Sequence, residues 1–371
     1  MLIALLFAVA LALAYANGAN DNFKASATLY GSGVASYAEA RRLATLAQLC
    51  GSVASVVLAG ALLEAFSGKG LVPPDVVGDP TFLVAVGAAA VATVLLATRV
   101  GLPISTTHAL VGGLSGAGLA LAPNGLSWSA LGGSYFLPLL ASPLLACAAA
   151  AVLYPIAQRS RQASWIHAET CVCIGADLDP VEVGPGGALL RRSTGLPLTL
   201  AEHELCQRVY AGRVFGTSVK ALVDRVHVSS AFALGFARGL NDTPKVLALL
   251  VAAGWSGLDP RISLALVAGA MATGGWLRAR RVADTLAHRI TTLSHGQGLL
   301  ANGIASSLVI GASLLGSPVS TTHVSAGALF GIGLWNDDTD WRVVTGILFA
   351  WLATLPLAAA LAAAIAWSLA G

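Results

Sequence analysis

Two short polar motifs, each present twice, contain the residues of this chain that are best suited to chemistry. The first reads Gly-Ala-Asn-Asp-Asn-Phe-Lys at 18–24 and Gly-Leu-Asn-Asp-Thr-Pro-Lys at 239–245. The second reads Pro-Ile-Ser-Thr-Thr-His at 103–108 and Pro-Val-Ser-Thr-Thr-His at 318–323. All copies lie in long apolar stretches, where unpaired polar groups are costly. We therefore predict a buried site, and the duplication is typical of membrane transporters built from two related halves.

The Asn-Asp pairs of the first motif, Asn20-Asp21 and Asn241-Asp242, place a carboxyl group in an apolar helix. Such a group needs a partner or must be protonated, and asparagine supplies both donors and an acceptor. A glycine before each pair and Pro244 after the second favour helices that are broken at this point. The alternative is a hydrogen-bond network between helices that binds no ligand.

Lys24 and Lys245 follow their aspartates by three residues and can lie on the same helix face as the carboxylate. Three interpretations stay open from the sequence. Each lysine neutralises its own aspartate, or its ammonium faces a bound anion, or it occupies the place of a coupling cation.

The second motif groups hydroxyls after a proline, at the predicted start of a helix. Hydroxyls beside free backbone amides suit a tetrahedral oxyanion, whereas the simpler alternative is capping of the helix. The oxyanion-binding candidates are Ser105, Thr106, Thr107, Ser320, Thr321 and Thr322.

Each copy of the second motif ends in a histidine, His108 in one and His323 in the other. Imidazole titrates near physiological pH, so these residues are candidates for coupling to protons. Equally, they can be neutral residues that pack against a neighbouring helix.

The composition indicates that these motifs lie in a membrane protein. Hydrophobic residues make up 56% of the 371 residues and charged residues only 11%, whereas soluble domains carry about 25% charged residues. A large soluble enzyme is therefore a poor fit. The abundant small residues allow close helix approach in lipid.

The apolar segments predict an all-α fold of two repeats, each with about five membrane segments. They fall at 1–30, 42–65, 81–100, 104–121, 130–157, 227–254, 261–277, 296–316, 318–334 and 342–370. The two segments with Ser-Thr-Thr-His are short enough to be re-entrant. We therefore expect a first membrane repeat at 1–157, a central region at 158–226 and a second membrane repeat at 227–371.

Basic residues predict the orientation of the repeats. The central region contains the largest basic cluster and is expected in the cytoplasm. Because each half has an odd number of segments, the second half enters from the opposite side, so the repeats are inverted. Within the region, Cys171, Cys173, His167, His203 and Cys206 form either a metal or redox set of no standard spacing or part of a small folded domain.

The twin motifs resemble those of the PiT family of inorganic phosphate transporters, over roughly 1–155 and 230–371. This resemblance implies a secondary transporter of alternating access, often dimeric, whose motifs bind phosphate and coupling cations. It implies roles for Asn20, Asp21, Ser105, Thr106, Thr107, Asn241, Asp242, Ser320, Thr321 and Thr322. Asp21 and Asp242 are then the candidate ligands of Na⁺, and no other cofactor is expected.

The chain departs from the family at its lysines. The family pattern commonly continues after Asn-Asp with Val-Ala-Asn-Ala, whereas this chain has Lys24 and Lys245 in that stretch. A fixed ammonium beside a Na⁺ site repels the ion. We therefore hypothesise that at least one Na⁺ site is lost and that transport is coupled to protons or uncoupled.

The sequence leads to a cation-coupled phosphate transporter, with H⁺ or Na⁺ as the coupling ion, in the inner (plasma) membrane. Its expected partners are inorganic phosphate or sulfate, membrane lipid and a second copy of the chain, and no nucleic acid. The alternatives are a permease for sulfate or a related oxyanion, a membrane-embedded hydrolase and an anion channel.

Overall fold

The computed structural model describes residues 2–163, 170–174, 198–202, 215–253, 259–291, 293–337 and 339–370. They divide into two units. One unit consists of Met1–Tyr154 together with Val228–Gly371, and the other of Pro155–His227. The prediction of an all-α polytopic membrane protein is confirmed for the first unit, and the three strands described below lie in the second.

The first half contains eight α-helices within the described residues. They are α1 (Leu2–Asp21), α2 (Ala27–Gly31), α3 (Tyr37–Leu58), α4 (Gly60–Ala65), α5 (Pro80–Val100), α6 (Thr106–Leu121), α7 (Trp128–Ala130) and α8 (Leu137–Ala163). A 3₁₀ turn at Asn22–Ser26 joins α1 to α2, and a π-helical turn at Leu131–Phe136 joins α7 to α8. The helix geometry thus changes directly after the first Asn-Asp pair, as predicted.

The second half repeats this order in the residues that are described. Its helices are α9 (Val219–Ala252), α10 (Pro260–Arg278), α11 (Arg280–Asp284), α12 (His295–Leu314), α13 (Thr321–Gly333) and α14 (Trp341–Ala370), with a π-helical turn at Thr285–Arg289. Here the prediction of a broken helix is wrong, because α9 continues through Asn241, Asp242 and Pro244. Proline removes one backbone donor and crowds the preceding turn, but buried packing on both sides of Pro244 keeps the helix continuous.

Five helical stretches among the described residues are long and apolar enough to cross a membrane. They are Leu2–Gly31, Pro80–Val100, Trp128–Ser160, His295–Leu314 and Trp341–Ala370, and α10 with the bent segment after it makes a sixth if the pair counts as one span. The helices α6 and α13 have only 16 and 13 residues, whereas a full crossing takes about 20. This shortness agrees with the expectation that the Ser-Thr-Thr-His segments are re-entrant.

A left-handed glycine precedes each copy of the second motif. Gly101 (φ 77°) ends α5, and Gly316 (φ 67°) follows α12. Only glycine adopts this conformation at little cost, and it commonly closes a helix. The chain then turns into the extended Pro-Ile-Ser and Pro-Val-Ser segments, which lead into α6 and α13.

The central region contributes one small antiparallel sheet of order β2-β1-β3 in the described part of the chain. Its strands are β1 (Thr170–Ile174), β2 (Leu198–Glu202) and β3 (Phe215–Ser218). Cys171 and Cys173 both lie in β1. His167, His203 and Cys206 lie outside the described residues, so a metal or redox site there remains untested.

Glycines bring the two halves into contact in matching pairs. Gly18 of α1 faces the backbone of Met271 on α10, and Gly239 of α9 faces the backbone of Gln48 on α3. Farther along, Gly112 of α6 faces Leu355 on α14, whereas Gly327 of α13 faces Pro143 on α8. Each contact thus has a counterpart with the halves exchanged, as expected for two repeats related by a pseudo-two-fold axis.

Gly18→Ala and Gly239→Ala are each expected to destabilise the protein. The added Cβ would lie 1.8 Å from the Met271 carbonyl oxygen in the first variant and 2.1 Å from the Gln48 carbonyl oxygen in the second. Backbone cannot yield as a side chain can, and overpacking of this kind costs about 1–3 kcal/mol or more. Thermal unfolding of the purified protein in detergent measures the loss.

Gly269→Ala is the matched control for this measurement. Gly269 lies in α10, and an added Cβ would meet nothing within 4 Å. Alanine there is expected to leave the melting temperature unchanged or to raise it slightly, because it is the better helix former. Equal stability of all three variants would contradict the close approach of the halves.

Candidate functional site

The ammonium of Lys24 lies at the centre of the first polar cluster. Its Nζ donates to Asn20 Oδ1 at 2.9 Å, to the Ile104 carbonyl oxygen at 2.9 Å and to Thr322 Oγ1 at 2.6 Å, and it pairs with Asp21 Oδ1. The lysine side chain is only 3% exposed. Thr322 belongs to the second half, so this lysine joins the two halves.

Lys245 makes the corresponding contacts with the halves exchanged. Its Nζ donates to Asn241 Oδ1, to Thr107 Oγ1 at 2.7 Å and to the Val319 carbonyl oxygen at 2.9 Å. It also pairs with Asp242 Oδ1 at 3.2 Å, and its side chain is 1% exposed. Both lysines therefore contact a carboxylate, an amide oxygen, a backbone carbonyl and a threonine hydroxyl.

The two aspartates are connected through Asn17 of α1. The Asn17 amide donates to Asp21 Oδ2 at 2.9 Å and to Asp242 Oδ2 at 3.3 Å. Thr106 Oγ1 donates to Asp21 Oδ2 at 3.0 Å and accepts from the Asn17 amide at 3.1 Å. The clusters of the two halves thus form one buried network.

Arg238 is a third buried cation in this network, and its side chain is 2% exposed. Its guanidinium donates to Asn17 Oδ1 at 2.7 Å and to Asn22 Oδ1 at 2.9 Å. Its Nε lies 3.7 Å from Asp242 Oδ2 and makes no hydrogen bond. Of the five N–H donors of the guanidinium, the Nε–H is therefore available for a further acceptor.

The buried charges of the network do not balance. Three cations (Lys24, Lys245 and Arg238) face two carboxylates (Asp21 and Asp242), which leaves a formal charge of +1 when all five are ionised. An excess charge away from water is costly. A bound anion would compensate it, so the arrangement is suited to binding one.

The two asparagines of the Asn-Asp pairs fix the first motif against the neighbouring helices. Asn20 Nδ2 donates to Thr98 Oγ1 at 2.9 Å and to the Leu102 carbonyl at 3.0 Å, while Asn241 Nδ2 donates to Ser313 Oγ at 2.8 Å. Their Oδ1 atoms accept from the lysines. Both asparagines therefore position the ammonium groups.

The hydroxyls of the second motif divide by function. Ser105 Oγ accepts from the His108 amide at 3.1 Å and Ser320 Oγ from the His323 amide at 3.2 Å, so both serines cap their helices. Three threonine hydroxyls instead bond to charged groups of the network, namely Thr106 and Thr322 to Asp21 and Thr107 to Lys245. The fourth threonine, Thr321, is also buried.

His108 and His323 pack against each other beside the network, with ring centroids 4.2 Å apart. His323 also stacks on Trp351 at 3.8 Å. Both rings line a cavity of about 910 Å³ whose other walls are mainly apolar side chains of α8, α13 and α14. His108 Nδ1 and His323 Nε2 make no hydrogen bond. Packing against aromatic neighbours is therefore established, whereas proton coupling remains a prediction.

Arg238 and Asn17 are members of the network that the motif analysis missed. They hold the same position in the two motifs, one residue before Gly239 and Gly18. A charged residue inside the apolar stretch 227–254 was the available signal for Arg238. For Asn17 the only signal in the sequence was its position at the end of the apolar run 1–16.

Comparison with known proteins identifies what the chain is similar to. The sequence profile of the phosphate transporter family matches residues 17–362. A protein of Pyrococcus abyssi, whose name assigns it provisionally to the phosphate permeases, is 28% identical over 396 residues, which cover 96% of this chain and 95% of the relative. A similarly named protein of Thermococcus kodakarensis is 27% identical, with 96% and 94% coverage.

A solved structure shares the fold. The structure entitled "The sodium-dependent phosphate transporter" superposes with a TM-score of 0.78 and covers 100% of this chain and 99% of that one. The sequences are 21% identical. At this identity the likeness shows the fold of the chain.

Proposed function

As this chain belongs to the phosphate transporter family, it is a transporter and not an enzyme, and we propose that it moves inorganic phosphate by alternating access coupled to a cation. The resemblance drawn from the twin motifs is thereby confirmed. The family gives no support to the hydrolase and channel alternatives.

One observation supports the buried network as the substrate site, namely its excess positive charge. The +1 formal charge of the network is neutralised by one monoanion. Phosphate near neutral pH exists partly in this form, whereas sulfate remains a dianion without a proton to donate. A protonated phosphate can also donate a hydrogen bond to Asp21 or Asp242, which favours phosphate over sulfate.

We propose that the residues of the two motifs form the substrate site, with Arg238 as an additional member. The backbone amides at the starts of α6 and α13, which the Ser105 and Ser320 caps orient, donate to the anion. The threonine and asparagine side chains donate to protein acceptors in the present arrangement and contact the anion once those bonds open. Arg238 supplies the free guanidinium donor. His108 and His323 are the candidates for carrying a coupling proton. Asp21 and Asp242 are the candidate cation ligands, and in the structure each of them pairs with a lysine ammonium.

Alternating access follows from the paired contacts of the halves. Each half supplies one lysine and one set of threonines, and each lysine bonds the threonine of the other half. In the structure these groups contact each other directly. We propose that a rocking motion about the pseudo-two-fold axis opens the network to one side of the membrane and then to the other.

The remaining assignments are proposals of the same kind. We place the protein in the inner (plasma) membrane as a homodimer, with membrane repeats at 1–157 and 227–371. The central region at 158–226 then lies in the cytoplasm.

Uptake into proteoliposomes tests the function. We expect saturable uptake of radiolabelled phosphate, with counterflow when the vesicles are preloaded with unlabelled phosphate. An excess of unlabelled phosphate should abolish the uptake of radiolabelled phosphate, whereas sulfate at the same concentration should leave most of this uptake. Uptake of sulfate in preference to phosphate would instead establish the sulfate permease.

A further inference from the structure

We propose that Lys24 and Lys245 are tethered substitutes for coupling cations, so that neither of the two positions they occupy binds Na⁺ during transport. Each ammonium fills an oxygen-lined position between the halves and remains there throughout the cycle. This inference rests on the proposed function only where phosphate uptake is measured, because the melting experiment uses no substrate. It decides among the three interpretations of the lysines that the sequence left open.

The oxygen atoms around each ammonium are those of a cation site. Lys24 Nζ is surrounded by a carboxylate, a side-chain amide oxygen, a backbone carbonyl and a hydroxyl. Oxygens of these types are the ligands of hard metal cations in proteins. An ammonium has three N–H donors, yet four oxygens converge on it. Four converge on Lys245 Nζ as well.

Neutralisation of the neighbouring aspartate does not explain these contacts. For that purpose each lysine needs only its own carboxylate, three residues away. Instead Lys24 reaches Thr322 across 298 residues of sequence, and Lys245 reaches Thr107 across 138. Each ammonium therefore lies at the interface between the halves and is bound by oxygens of both. A cation that couples the two halves requires a position of this kind.

Binding of an anion does not explain them either. All of the groups that contact the two ammoniums are acceptors, and the N–H donors of both lysines are already engaged. Arg238, in contrast, retains an N–H without a hydrogen bond. The three cations therefore have separate tasks. The lysines use their donors on oxygens of both halves. Arg238 also bonds Asn17 and Asn22 of the first half, but its Nε–H makes no hydrogen bond and is available for the anion.

A tethered cation changes what drives transport. A bound Na⁺ enters and leaves with each cycle and therefore draws on its gradient, whereas a lysine cannot leave its helix. The two fixed ammoniums also repel any Na⁺ that approaches the same oxygens. Transport is then expected to proceed without Na⁺, with the proton as the remaining coupling ion.

The first experiment measures cation binding without any substrate. Purified wild-type protein, Lys24→Asn, Lys245→Asn and the double variant are melted in sodium chloride and in choline chloride of equal ionic strength. Wild type should melt at the same temperature in both salts. The double variant should melt at least about 2 °C higher in sodium chloride, because binding to the native state stabilises it. Lys69→Asn, at an exposed lysine, is the matched control.

The second experiment measures phosphate uptake by the same proteins. Wild type should transport equally in both salts. In the double variant, uptake in choline should fall at least about tenfold, since removing one partner of a buried ion pair is strongly destabilising, and Na⁺ should restore it. Lys24→Met and Lys245→Met, which add no oxygen ligand, should show less restoration than the asparagine variants.

The outcomes separate this inference from the proposed function. The tethered-cation assignment is overturned if wild type melts at a higher temperature in sodium chloride than in choline chloride, or if its uptake of phosphate requires Na⁺. Both measurements use wild type and need no folded variant. Asparagine variants that fold but do not respond to Na⁺ also overturn it. Absence of phosphate uptake in every salt, together with the expected melting behaviour, rejects the proposed substrate and leaves the cation assignment supported.

Discussion

Asp21→Asn and Asp242→Asn are each expected to reduce phosphate uptake at least about a hundredfold, because each leaves a buried ammonium without its carboxylate. Removing one partner of a buried ion pair costs about 3–5 kcal/mol, and about 1.4 kcal/mol corresponds to a tenfold change. Each substitution also raises the formal charge of the network from +1 to +2. Asparagine has nearly the same shape, so the loss is electrostatic.

The two carboxylates accept hydrogen bonds from residues of both halves. We therefore expect a larger loss of uptake than for removal of a carboxylate from an ion pair on the surface. Asp21 accepts from Lys24, Asn17 and Thr106, and the hydroxyl of Thr322 lies 3.1 Å from its Oδ1. Loss of this charge weakens the contacts by which the first half holds the second. We expect the closed arrangement of the network to become less populated.

Initial rates of uptake, normalised to the amount of monodisperse protein, measure the effect. Asp75→Asn serves as the matched control, because Asp75 is exposed and lies in the loop before α5. It is expected to transport like wild type. Normal uptake by both Asp21→Asn and Asp242→Asn would mean that the motifs have a structural role only.

Arg238→Gln is expected to weaken the apparent affinity for phosphate at least about tenfold, because it removes the excess charge of the network. The formal charge falls from +1 to 0, and hydrogen bonds to charged groups contribute about 1.5–3 kcal/mol. Glutamine can still donate to Asn17 or to Asn22, but it carries no positive charge. Arg238→Lys, which keeps the charge and loses the fork of donors, should be intermediate.

The dependence of uptake on phosphate concentration separates affinity from maximal rate. Arg342→Gln is the matched control, since Arg342 is exposed at the start of α14. A loss of maximal rate with unchanged affinity would show that Arg238 supports the fold or the motion and does not bind the anion. An unchanged profile would remove Arg238 from the site.

The two halves differ at the position of Arg238 and Asn17. Each lysine contacts an aspartate, an asparagine, a threonine and a backbone carbonyl, and these contacts are present in both halves. The arginine of one half instead bonds directly to the asparagine of the other at 2.7 Å. A single tetrahedral anion has no need of two arginines, and a second one would raise the buried charge further.

The sequence by itself determined the membrane class, the two repeats and the residues of both motifs. Polar groups in apolar segments are costly enough that their presence indicates a site. Repetition of Asn-Asp-x-x-Lys and Ser-Thr-Thr-His in the same order shows that two such sites are related. These conclusions need only local sequence, so residues such as Asp21 and Thr106 could be selected without a structure.

Tertiary structure alone decided which groups meet. Lys24 bonds Thr322, and Arg238 bonds an asparagine 221 residues away, and no local pattern specifies such distant contacts. Packing also keeps α9 continuous through Pro244, against the intrinsic preference of proline, and it assigns Ser105 and Ser320 to helix capping. The site is a property of the interface between the halves, because each half holds only part of the charges and donors that the network needs.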